Sequence, residues 1–176
     1  TFNSNISPVI DLQRVNLFAI NNRLNAPIAN SSDPRDQFID ETAGQGGSAA
    51  AKYITKEIIL NNPSTAIDVR LSASIFASSS IEVYHKTKGS EDSRLLSEIP
   101  FVKFDQVNNP SFSEDRSQSP YNENYKKDFA EYKFSAEGIQ EFTSFQIKIV
   151  MKGSNPAYPP RVTDLRAIAL ALWVII

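Results

Sequence analysis

Cysteine is absent from the 176 residues. Without a thiol there is no disulfide framework, no cysteine-ligated metal and no cysteine nucleophile. Histidine occurs once, at His85, so a Ser-His-Asp triad would have to be built on that single ring. No Gly-x-Ser-x-Gly elbow presents a serine to it. Glycine is scarce, and its one cluster, Gly44-Gln45-Gly46-Gly47, lacks the lysine and following helix of a phosphate loop. That run, within Thr42 to Ala51, reads as a flexible connector. An excess of charge of one sign is also missing: 18 Lys and Arg are scattered among 20 acids, for a net charge of -2. No basic face is available for a polyanion, so a nucleic-acid partner is not expected. The longest apolar run, Ala167 to Ile176, has about half the length of a membrane helix, and it reads as a buried strand. No membrane association is expected.

What is present is period-two alternation. In Ala66 to Phe76, Ile67, Val69, Leu71, Ala73 and Ile75 face one side, while Asp68, Arg70, Ser72 and Ser74 face the other. A helix would scatter these residues around its surface, whereas a half-buried strand sorts them. Ser144 to Lys152 shows the same sorting, with Phe145, Ile147, Ile149 and Met151 inward and Gln146 and Lys148 outward. Tyr53 to Leu60 is β-branched and stops at Asn61-Asn62-Pro63. Ile81 to Lys86 follows the serine run 78–80, and the spacing predicts a hairpin with the preceding strand. Leu95 to Phe104, Asp128 to Phe134 and Val162 to Ile176 supply further strands, and one helical turn is expected near Ser90 to Leu96. Connections too short for helices argue against a parallel α/β fold. The expected fold is mainly β, an antiparallel sandwich of jelly-roll type over residues 53–176, with a barrel as the competing closure. Residues 1–52, rich in Asn and Ser and interrupted by Pro27 and Asp33-Pro34, read as an extended N-terminal arm and linker. Leu12, Leu17 and Phe18 are the apolar residues with which that arm would clamp the body or a second copy.

Candidate chemistry is sparse. His85 lies on the same side of its strand as Ile81 and Val83 and reads as a packed or edge histidine rather than a catalyst or ligand. Acids cluster in Asp33, Asp36, Asp40 and Glu41, in Glu91-Asp92 and in Glu114-Asp115. They match no calcium loop, so solvated turns are expected and no metal or cofactor is assigned. Loop aromatics are the stronger lead. Phe112, Tyr121, Tyr125 and Tyr158 fall outside the expected strands, and exposed aromatic faces anchor protein interfaces or stack on sugar rings.

Two segments carry a resemblance. Ser7-Pro8-Val9-Ile10-Asp11-Leu12-Gln13-Arg14 precedes an Asn-rich stretch and then Ala51-Lys52-Tyr53-Ile54-Thr55-Lys56. Phe142 to Met151 leads through Pro159-Pro160-Arg161-Val162 to the segment Asp164 to Leu170. This order resembles the C-terminal region of virion structural proteins from contractile-tailed phages of marine cyanobacteria. It spans most of the chain, with residues 87–140 contributing little. The closing pattern of strand, proline turn, arginine and last apolar strand is also similar to galactose-binding-like jelly rolls. The resemblance implies a non-enzymatic tail or baseplate protein located in the virion, with other virion subunits or a second copy of itself as partners. It brings no catalytic residue. The alternative is a carbohydrate-binding module recognising host surface glycans through Phe112, Tyr121, Tyr125 and Tyr158, since one sandwich can serve either purpose.

Overall fold

A computed structural model describes residues 9–11, 16–18, 39–75, 79–108, 129–155 and 158–171. The chain is mainly β with antiparallel pairing throughout, and eleven strands are described among these residues. Two short N-terminal strands, β1 (Val9–Asp11) and β2 (Asn16–Phe18), pair with each other. The body follows with β3 (Lys52–Ile54), β4 (Ile58–Ser64), β5 (Ala66–Ser74) and β6 (Ser79–Lys88). After a 3-10 turn at Leu96–Glu98 come β7 (Val102–Lys103) and β8 (Asp105–Gln106). The closing strands are β9 (Ala130–Ala136), β10 (Phe142–Gly153) and β11 (Arg161–Leu170).

One sheet runs β3-β10-β6-β7, with β4 also paired to β10; the other runs β11-β5-β9-β8. Along the chain, β4 is in the first sheet, β5 in the second, β6 and β7 in the first, β8 and β9 in the second, β10 in the first and β11 in the second. Strand β2 lies beside β11. The two layers therefore read β4-β10-β6-β7 and β2-β11-β5-β9, the interleaved order of a jelly roll. The sandwich expected from the alternation is the fold observed.

The core lies between the layers. Ile67, Val69, Leu71 and Ala73 from β5 are fully buried and meet Phe142, Phe145, Ile147 and Ile149 from β10. Fully burying an aliphatic or aromatic side chain of this size stabilises by about 1.5–3 kcal/mol, so the two most strongly alternating segments are also the two central strands. Phe142 and Phe145 meet edge-on, with ring centroids 6.0 Å apart.

Three expectations are corrected. The strands β5 and β6 do not form a hairpin, because the chain crosses between sheets after Ser74. The expected strand Tyr53 to Leu60 divides into β3 and β4, which occupy the same edge of β10 at different heights. Strand β4 then continues through Asn61-Asn62-Pro63 rather than stopping there. This is compatible with proline because β4 is an edge strand, where a missing N–H need not be replaced. The helical turn expected near residues 90–96 forms slightly later, at Leu96–Glu98, where the Glu98 carboxylate accepts from the Leu95 N–H at 2.8 Å.

The outer face of β5 and β9 is a charged ladder. Glu131 meets Arg70 at 3.6 Å and Arg166 at 2.6 Å, and Lys133 lies 3.4 Å from Asp68. Exposed pairs of this kind contribute about 0–1 kcal/mol each, so the ladder solubilises the face more than it holds the fold. Strand β11 carries a bulge between Thr163 and Arg166, with Asp164 in the left-handed region at φ 55. Aspartate tolerates that conformation better than most side chains.

Candidate functional site

Two places gather polar side chains: the outer face of the β10 sheet and a cleft beside the end of β6. The outer face follows from the strand period. Residues on β6 and β10 that point away from the core include Tyr84, Lys86, Lys148 and Val150, and all four are buried. They are covered by residues 39–51 and by the segment around Phe101, which form a second, smaller apolar cluster with Tyr84 and Val150. The segment expected to be a flexible connector is a packed cover.

Lysine ammonium groups fasten it. Lys148 Nζ donates to the Glu41 carboxylate at 3.0 Å, to the Glu41 carbonyl and to the Gly46 carbonyl at 3.3 Å. Lys86 Nζ donates to the carbonyls of Gly44 at 2.8 Å and Leu96 at 2.7 Å. Lys52 Nζ donates to those of Gly46 at 2.9 Å and Gly47 at 2.5 Å. The Phe101 ring lies under both buried cations, 4.3 Å from Lys86 Nζ and 4.5 Å from Lys148 Nζ. Tyr84 flanks Lys148 at 4.5 Å. A buried ammonium needs an acceptor for each proton and a counter-charge. Glu41 supplies the charge, and the glycine carbonyls and aromatic faces supply the rest. Burial pulls the pKa of Lys148 down against the opposing effect of Glu41, and burial together with the Lys148 charge does the same to Lys86.

Glycine is required at this contact. A Cβ on Gly44 would collide with the Ser97 carbonyl oxygen and lie 2.8 Å from that of Ile99. Gly46 and Gly47 adopt φ of 101 and 72, a region that favours glycine. Glu41 also accepts from the Ala49 N–H at 2.6 Å, and Asp40 caps the turn by accepting from the Thr42 N–H at 2.7 Å. Glu41 is therefore buried, where a solvated turn was expected. Nearby, Glu82 is opposed by burial, yet donors from Lys103, Lys152 and Tyr84 prevail and hold its pKa at about 2.

The cleft has a volume of about 610 Å³ and lies between the end of β6, the 89–94 turn, residues 99–102 and residues 140–142. His85 is at its inner wall, 5% exposed, with its ring 4.5 Å from that of Phe104. The packed histidine read from the strand pattern is what is found. Its Nδ1 is buried with no hydrogen-bond partner. Desolvation pushes its pKa down to about 4, so the ring is neutral at physiological pH. At the mouth, Arg94 donates from Nε and Nη2 to Asp92 at 3.0 and 2.6 Å, and these bonds lower the Asp92 pKa to about 2. Glu91, Gln140 and Glu141 complete the polar rim, and Pro100 and Val102 form an apolar side.

Of the four loop aromatics, Tyr158 is 36% exposed in the turn between β10 and β11, away from the cleft lining. Phe112, Tyr121 and Tyr125 lie outside the described residues, as do Asp33, Asp36, Glu114 and Asp115 and the side chains of Leu12, Leu17 and Phe18. No group of three or more His, Asp or Glu side chains suited to a metal occurs among the described residues, and no described helix is long and apolar enough to cross a membrane. Sequence reasoning missed the burial of Lys86 and Lys148; the available signal, for Lys148 alone, was a lysine at the centre of the most apolar strand. No protein family, no curated protein and no solved structure matches the chain.

Proposed function

We propose that the chain is a non-enzymatic structural domain of a phage particle, from the tail or baseplate, and that it works by self-association through its closing strand. One observation carries the reading. Among the described residues β11 is hydrogen-bonded on one side only, to β5, and it turns Ile168 (51% exposed) and Leu170 (45% exposed) outward while its alternate residues Ala167 and Ala169 pack on the core. The N-terminal strand β2 already runs beside the other edge of β11, so what the strand leaves open is its outward face. Aliphatics exposed together on a sheet face mark a surface for another chain. The order of segments in the sequence, which resembles virion structural proteins, supplies the particle context.

The test is the mass in solution of the full chain against the I168D/L170D double variant. Self-association of the wild type that the variant abolishes, with an unchanged melting temperature, supports the proposal. A monomeric wild type at high concentration opposes it.

A further inference from the structure

We infer that the cleft beside the end of β6 is a binding site for a neutral saccharide, independent of the assembly role of β11. The chemistry of the lining selects the ligand class. Sugar hydroxyls donate and accept at once, so they suit a wall that mixes carboxylates, amides, a guanidinium and a neutral imidazole. Here those groups are Asp92, Glu141, Gln140, Arg94 and His85, with the apolar edge of Pro100 and Val102 available to the ring's C–H face. The volume of about 610 Å³ lies in the range of small-ligand sites and accommodates more than one sugar ring.

Charge narrows the class further. The rim carries Glu91, Asp92 and Glu141 against the guanidinium of Arg94, while the other lining cation, Lys86, has its ammonium group engaged by the Gly44 and Leu96 carbonyls. An acidic sugar would meet net negative charge, which disfavours it. Arg94 is already fixed by its bidentate bonds to Asp92, so it is pre-oriented before a ligand arrives. Gly89, in the lining, approaches the backbone at Glu141 closely. A Cβ there would lie 3.2 Å from the Glu141 carbonyl oxygen, closer than an ordinary contact.

His85 is the only histidine, so its ring gives one unambiguous NMR signal. The full chain, labelled at histidine, would be titrated with methyl galactoside, methyl glucoside, methyl mannoside and, as the acidic control, glucuronate, each to about 50 mM, enough to saturate a site of about 1 mM affinity. The expected result is a saturable shift of the His85 signal with at least one neutral glycoside and none with glucuronate. R94A and Q140A, both at exposed positions, should each weaken that binding by about tenfold while leaving the melting temperature in place. An unmoved His85 signal with every neutral glycoside overturns the inference. Binding that survives both substitutions, or that favours glucuronate, overturns it as well.

Discussion

Replacing Glu41 by Gln should unfasten the cover over the outer sheet face. Lys148 is fully buried, and Glu41 is the counter-charge in contact with it, at 3.0 Å. An amide at that position keeps an oxygen for the Ala49 N–H but removes the charge and turns an N–H group toward the ammonium. Breaking one half of a buried pair destabilises by about 3–5 kcal/mol, because the remaining charge stays desolvated without compensation. Against a typical total stability of about 5–15 kcal/mol this is a large fraction. K148M removes the cation instead and keeps an unbranched chain of similar length under the aromatic rings. Glu41 is then left near the surface with its Ala49 bond, so the loss should be smaller, about 1–3 kcal/mol. The double variant should therefore be more stable than the sum of the single changes predicts, by about 2 kcal/mol. Urea denaturation of the four proteins measures this directly. Additive losses, or an E41Q midpoint equal to wild type, would refute the reasoning that Glu41 and Lys148 act as a buried unit.

The remaining predictions concern separate sites. His85 has a folded pKa of about 4 against an ordinary value of 6.5, so its contribution to stability is fully present above pH 6.5 and is lost as pH falls toward 4. The wild type should lose up to about 3 kcal/mol over that window relative to an H85Q variant measured in parallel, and equal pH slopes would contradict the burial argument. G44A should destabilise by about 1–3 kcal/mol, since the added carbon meets backbone rather than a yielding side chain; an unchanged melting temperature would show that residues 42–51 do not pack as described. R70A should change stability by less than about 0.5 kcal/mol, because its ion pair with Glu131 is solvated on both sides; a loss above about 1 kcal/mol would mean that the ladder does hold the fold.

The parts of the fold that were legible in the sequence are those where one local pattern decides the matter. Period-two alternation in β5 and β10 fixed both their conformation and their inward faces, because a strand with one buried side leaves no other arrangement for Ile67, Val69 and Leu71. Whether the turn after β5 returns to the same sheet or crosses to the facing one has no local signature. Both paths need a short polar connection, and the expected hairpin was the path not taken. The outward direction of Lys148 was also legible, but its burial was not, since that depends on a segment about a hundred positions away. The glycine run looked like a linker because composition records missing side chains and does not record backbone carbonyls used as acceptors. Of the site residues, His85 was readable as packed from its strand face. The cleft was not readable, because Arg94, Val102 and Gln140 come together only where β6, β7 and β10, distant in sequence, lie side by side in one sheet.

The measurement closest to the central claim is sedimentation of the full chain beside its I168D/L170D variant across a wide concentration range. If the outward face of β11 is the assembly surface, the wild type will associate in a concentration-dependent way and the variant, equally stable, will sediment as a monomer. If both sediment identically, whether as monomers or as the same oligomer, assembly does not run through this strand.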